Sequence, residues 1–211
     1  MSKKELAKEI VALLRKNYPN ARIELDYTNE RELAVAVVLS AQTTDKKVNE
    51  ITAKLFKKYS SWEDYATADL NELTETIKGV NFHKGKAERL VKMGEMMVSE
   101  YKGKLPNTIE ELTKLPGVAR KTANVLTHEL WGKAYGVVVD THITRLSNLW
   151  GFTKEQNAVK IEKDLIALLD KEDWITYSRN VVLHGRYVCK ARKPDCANCV
   201  LNEVCPSAFN A

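Results

Sequence analysis

The chain has 211 residues, enough for one ordinary domain or two small ones sharing a core, and its 44% hydrophobic content supports a buried interior. Thirty-three Lys and Arg against 28 Asp and Glu leave a formal charge of +5, an excess that suits a polyanionic partner without requiring one. The opening MSKKELAKEI is charged throughout, unlike a secretory signal, and the longest clean apolar run, Leu33 to Leu39, falls far short of the ~18 residues of a membrane span. A soluble, cytoplasmic protein without a membrane partner is expected.

Apolar residues recur at helical spacing along the chain: Leu6, Ile10, Leu13 and Leu14, then Val48, Ile51, Leu55 and Phe56, then Leu70, Leu73 and Ile77, and later Leu165 and Leu168. Helix starts are marked by Asn29 before Glu30 to Leu39, by Thr108 with Glu111 three residues on, and by Asp140 before Thr141 to Trp150. Only Ala34 to Leu39 and Val137 to Val139 are β-branched enough to suggest strands, and neither has a hairpin partner. The fold class read from this pattern is all-α. No repeat or Pro/Gly/Ser-rich linker marks a domain boundary.

The segment Leu115-Pro116-Gly117-Val118-Ala119-Arg120-Lys121-Thr122-Ala123 joins a capped helix (Thr108 to Lys114) to a second helix running towards Trp131, which makes a helix-hairpin-helix over about residues 108–131. Gly117 can adopt φ > 0 and leave the backbone bare, so amides at the start of the second helix can approach a phosphate. Such a loop grips a nucleic-acid backbone without reading sequence. Lys121 falls in the first turn of that second helix; alone it would read as a solvated surface lysine.

Four cysteines close the chain as Cys189-x6-Cys196-x2-Cys199-x5-Cys205. In a reducing compartment such crowding points to a metal site before two disulfides. Four thiolates can hold a [4Fe-4S] cube or a tetrahedral zinc, and the single Cys-x2-Cys knuckle favours iron over structural zinc. Between the first two ligands lie Lys190, Arg192 and Lys193, a basic loop able to meet phosphates.

The stretch LPGVARKTANV, followed by VVVDTHITRL at Val137 to Leu146, resembles the helix-hairpin-helix glycosylase superfamily and, within it, the endonuclease III family. Leu39-Ser40-Ala41-Gln42-Thr43-Thr44-Asp45, His184-Gly185-Arg186 and the cysteine tail extend the resemblance over nearly the whole chain. It implies a bifunctional DNA glycosylase and abasic-site lyase of base excision repair, acting as a monomer on double-stranded DNA that contains oxidised pyrimidines or abasic sites. The resemblance makes Lys121 the nucleophile that forms a Schiff base with C1′ of the damaged nucleotide. Asp140, also a natural N-cap, becomes the carboxylate that assists base departure. It also assigns the tail a [4Fe-4S] cluster held by Cys189, Cys196, Cys199 and Cys205.

By the same resemblance Gln42 enters the space a flipped base vacates, Phe82 and His83 form the opposing wedge, and Ser40, Thr44 and Asp45 line the lesion pocket. Gly117, Ala119, Arg120 and His142 belong to the expected DNA contacts. Two lobes are implied: a six-helix domain of residues 24–133, and a cluster domain of residues 1–23 with 134–211, whose cluster loop is 189–205. Three departures stand out. Ala119 replaces a second glycine, the Lys121 to Asp140 separation is one residue longer than usual, and Phe82-His83 replaces a leucine and tyrosine. The adenine mismatch glycosylase of the same superfamily is disfavoured by Lys121 and by Val37, where its catalytic glutamate would fall. A non-enzymatic iron-sulfur DNA-binding protein would not need Lys121.

Overall fold

A computed structural model of the chain describes residues 1–210. In chain order the helices are α1 (Lys3–Asn17), α2 (Glu30–Ser40), α3 (Asp45–Lys58), α4 (Trp62–Ala66), α5 (Leu70–Thr76), α6 (His83–Ser99), α7 (Ile109–Leu112), α8 (Arg120–Trp131), α9 (Thr141–Leu149), α10 (Ala158–Leu168) and α11 (Trp174–Tyr187), with a 3-10 turn at Lys171–Asp173. Among the described residues there is no β-strand, only an isolated bridge between Lys78 and Val80. The architecture is all-α, and no helix among these residues is long and apolar enough to cross a membrane. The chain divides into two compact units, one of Met1–Ile23 with Ala134–Ala211 and one of Glu24–Lys133.

In the Glu24–Lys133 unit, α2 is the central helix. Asn29 holds an extended backbone and its side-chain oxygen accepts the Glu32 amide at 3.0 Å, an N-cap. Every residue from Glu32 to Leu39 is buried. A helix enclosed on all sides needs no polar stripe, which is why Ala34 to Leu39 carries the β-branched density of a strand while folding as a helix. Val137 to Val139, the other such run, is extended but joins no ladder. Along α6 the buried stripe is Lys86, Leu90, Met93 and Met97, at the spacing of one helical face. Trp62 and Tyr65 of α4 are buried, with Tyr65 stacked on Tyr59 at 5.2 Å between ring centroids.

The unit of Met1–Ile23 and Ala134–Ala211 is built on α1, α9, α10 and α11. A capping box of Ser2 and Glu5 opens α1, and its Ala7, Ile10, Val11 and Leu14 join Ile143, Leu146, Ile161, Leu165, Tyr177 and Val181 in one apolar core. Full burial of aliphatic side chains such as Ile10, Leu14, Ile143 and Leu146 contributes about 1.5–3 kcal/mol each. Two hydroxyls inside pair with each other: those of Ser147 and Tyr177 lie 2.7 Å apart.

Candidate functional site

The hairpin is tighter than its sequence suggests. Thr108 accepts the Glu111 amide at 3.3 Å and starts α7, but the helix ends at Leu112 instead of Lys114. The Lys114 and Leu115 amides then bond three residues back, at 3.1 Å each, as turns. Gly117 has φ 86, in the left-handed region. A Cβ there would lie 3.2 Å from a methyl of Val38 and 3.3 Å from Cδ of Arg89, so glycine also lets the hairpin seat against α2 and α6. Leu115 and Val118 are buried beneath the turn, whereas Gly117, Ala119, Arg120 and Lys121 are exposed.

Ala119 is the N-cap of α8 and makes no side-chain cap, so the positive end of this helix is not occupied by a carboxylate or hydroxyl of its own N-cap. The methyl that distinguishes Ala119 from glycine lies at the exposed surface. Lys121, the second residue of α8, stands on the exposed face of the first turn.

A second group of residues gathers at the end of α2 and the start of α6. Gln42, with φ 57, and Phe82, with φ 58, are both non-glycine residues in the left-handed conformation. Asn81 ties their loops: its side-chain amide donates to the Gln42 carbonyl, and its backbone amide donates to the Thr43 hydroxyl at 3.0 Å. Phe82 is 66% exposed, which separates it from the core. Gln42, Phe82, His83 and Arg89 line one shared concavity. Ser40 donates its hydroxyl to the Val37 carbonyl at 2.9 Å, Thr44 caps α3 by accepting the Lys47 amide at 3.3 Å, and Asp45 is the first residue of α3. Val37 itself is buried.

In the other unit Asp140 caps α9, with Oδ1 accepting the Ile143 amide at 2.9 Å and the side chain half-buried. His142, the second residue of α9, hydrogen-bonds the Gly185 backbone. Burial lowers its pKa, with Arg186 and Arg145 acting in the same direction against the opposing pull of Asp140. This ring is engaged with α11 and is partly withdrawn from the surface.

All four cysteines line a single cavity, with Leu149, Trp150, His184, Val188 and Leu201 among its other walls. None is in a disulfide. Cys189 follows Val188, the C-cap of α11, and Arg145 holds it: the guanidinium donates to the Cys189 carbonyl at 2.6 Å and the Gly185 carbonyl at 3.2 Å, and reaches the Cys189 sulfur at 3.7 Å. The Cys199 sulfur accepts from the Leu201 amide at 3.4 Å and lies 3.5 Å from Nε2 of His184. Burial pushes the Cys199 and Cys205 thiols up from their usual range, so stable thiolates here need a positive partner. Lys190, Arg192 and Lys193 project from the loop as exposed side chains.

Residues 35–171 match the family model described as HhH-GPD superfamily base excision DNA repair protein, and residues 189–205 match the iron-sulfur binding domain of endonuclease III. The chain is 44% identical over 207 residues to endonuclease III of Synechocystis sp., covering 98% of this chain and 94% of that protein. Endonuclease III of Bacillus subtilis is 42% identical over 189 residues, 89% of this chain and 86% of the relative. Among solved structures, an endonuclease III trapped as a covalent intermediate with DNA superposes with a TM-score of 0.90 at 37% identity, covering 99% of this chain and 98% of that one. A thermostable thymine-DNA glycosylase, 20% identical, shares the fold at a TM-score of 0.84 over 98% of each chain.

The chain belongs to the endonuclease III family.

The cysteine cavity of this chain fits the [4Fe-4S] cluster of that family. Four thiols on the wall of one cavity supply the four ligands that a [4Fe-4S] cube requires. Cys189, Cys196, Cys199 and Cys205 would hold it, while Arg145 and the Leu201 amide supply donors to the sulfurs. Such a group would staple the end of α11 to the C-terminal turns.

Sequence reasoning passed over Lys86, Asn81, Arg145 and His184 as individuals. One signal was available for Lys86: it falls on the stripe of Leu90, Met93 and Met97, where a charge has no place unless it is paired. The contacts of Asn81, Arg145 and His184 bridge residues far apart in sequence and leave no local mark.

Proposed function

We propose that Lys121 is the nucleophile of this enzyme and that Asp140 assists it. The protein is a DNA glycosylase and abasic-site lyase that acts on double-stranded DNA; the substrates we assign are oxidised pyrimidines and abasic sites. In this reading the neutral amine of Lys121 bonds to C1′ as the glycosidic bond breaks and the base leaves with a proton. The Asp140 carboxylate favours the positive charge developing on the sugar and relays the proton the amine loses. Ring opening leaves an imine between Lys121 and C1′. Loss of a C2′ proton then expels the 3′ phosphate, and water hydrolyses the imine to restore the amine.

The observation that carries this reading is the exposed amine on the first turn of α8, directly after the Gly117 hairpin, at a helix start that its N-cap side chain leaves uncapped. A phosphate gripped by such a start sets the backbone of a nucleotide close to the lysine. Gln42 and Phe82 are the residues we assign to the opened duplex, with Ser40, Thr44 and Asp45 towards the lesion, and Arg120, His142, Lys190, Arg192 and Lys193 towards the phosphates. Residues 24–133 form the first domain of this reading, expected with six helices and described with seven, α2 to α8, because the short α4 and α7 count as separate helices; 1–23 with 134–211 form the cluster domain. The protein acts as a cytoplasmic monomer.

The test is borohydride trapping on duplexes carrying thymine glycol or an abasic site. The wild-type chain should yield a covalent protein-DNA adduct, and Lys121→Gln should yield none while still binding the duplex. Undiminished trapping by Lys121→Gln would remove Lys121 from the chemistry.

A further inference from the structure

Lys86 has no part in the chemistry assigned above, yet it is only 3% exposed. A buried ammonium is tolerated where each of its three protons finds an acceptor. Here the acceptors are the Leu39 carbonyl at 2.7 Å, the Ala41 carbonyl at 2.7 Å and the Thr43 hydroxyl at 3.4 Å. All three belong to the few residues that end α2 and lead into α3, and none is a carboxylate. Burial holds the lysine below its usual pKa, and the nearby Arg89 cation adds to this.

A carboxylate partner would fix a charge; carbonyls flanking a turn fix the path of the backbone. α2 has no basic residue in its own last turn, so Lys86 of α6 supplies the cation that its negative end lacks and satisfies carbonyls the helix leaves without partners. Between the clamped Ala41 and Thr43 stands Gln42, exposed and left-handed. A non-glycine residue persists in that conformation where its neighbours over-determine it. Asn81 adds the exposed half of the clamp.

We propose that Lys86 is a positioning residue for Gln42, holding the turn at the end of α2 so that the glutamine side chain is presented, already ordered, for entry into the duplex. Because α6 begins at Phe82 and His83, the same lysine sets Gln42 and Phe82 on one seat. The proposal rests on the reading of Gln42 as a residue that enters DNA, and the experiment separates the two.

A double-mutant cycle on the full chain compares Gln42→Ala, Lys86→Met and the pair, using 2-aminopurine fluorescence beside a thymine glycol in a fully paired duplex as the readout of opening. Lys86→Met should slow opening roughly tenfold or more, the scale of losing a charged hydrogen-bond donor. In the Gln42→Ala background it should add little further loss. Independent, multiplying losses would overturn the proposal, since that pattern belongs to general weakening of the fold. Normal opening by Lys86→Met while Gln42→Ala is slow would overturn it with the Gln42 reading intact. Normal opening by Gln42→Ala would overturn that reading and the proposal with it. If Lys86→Met does not fold, Asn81→Ala takes its place in the cycle, with the same non-additivity expected and the same additivity fatal.

Discussion

Gly185 of α11 and His142 of α9 meet with no room for a side chain between them: a Cβ on Gly185 would lie 2.9 Å from His142 Nδ1 and 3.0 Å from its Cβ. The Gly185 carbonyl also receives Arg145 of α9 at 3.2 Å. Two motifs distant in sequence, DTH and HGR, are thus parts of one helix crossing. It places Asp140 at the start of α9 and Cys189 just beyond the end of α11. Gly185→Ala should cost about 1–3 kcal/mol, as overpacking of a close contact does. Thermal unfolding measures it, and an unchanged midpoint would show that the crossing yields freely.

The cysteine cavity leads to a second expectation. Purified without oxygen, the protein should be yellow-brown with about four irons per chain, as four thiolates around one cube require. Cys199→Ser removes a ligand that the Leu201 amide and His184 surround, and should lower iron content and solubility together. Its cost should fall on folding and DNA affinity before the trapping chemistry. A colourless, zinc-loaded and active preparation would contradict the assignment.

Asp140 separates capping from chemistry. Asn caps about as well as Asp, so Asp140→Asn should preserve the bond to the Ile143 amide and change stability by less than about 0.5 kcal/mol. Asp140→Ala should cost about 1 kcal/mol from the lost cap. If the carboxylate also assists the reaction, both variants slow base release severely in single-turnover assays, independently of that difference in stability. Wild-type release by Asp140→Asn would leave the residue a cap alone.

What was legible in the sequence follows the range of the interaction. The caps at Asn29, Thr108 and Asp140 are local, each accepting an amide three residues on, and each opens the helix expected of it. The hairpin was legible for the same reason, although its first helix ends two residues early, where Thr113 to Leu115 tighten into turns. The run from Ala34 to Leu39 was ambiguous because a helix buried on every face loses its periodicity. The clamp on Gln42 was not legible: Asn81 lies 39 residues away and the Lys86 contacts span 43 to 47. Nor could composition choose between core and surface for Phe82, a large apolar residue that here stands in solvent in a left-handed conformation.

That exposure makes Phe82 the sharpest test of the DNA-opening reading. A phenylalanine 66% exposed contributes little to packing, so Phe82→Ala should leave stability within about 0.5 kcal/mol. An aromatic face stacked on a base is worth ~1–3 kcal/mol, which at 1.36 kcal/mol per decade slows opening roughly 5- to 150-fold when it is lost. The deficit should be largest for a lesion in a fully paired duplex. It should shrink for a lesion in a bulge or mismatch, where part of the unstacking cost is already met, and be least for strand cleavage at a preformed abasic site. Gln42→Ala should show the same order of substrates with a milder loss, because its polar side chain answers the orphaned partner base by hydrogen bonds. Excision rates on the three substrates, together with 2-aminopurine fluorescence, measure this directly. Equal slowing on all three would place Phe82 outside the opening step and make His83, the first residue of α6, the next residue to test.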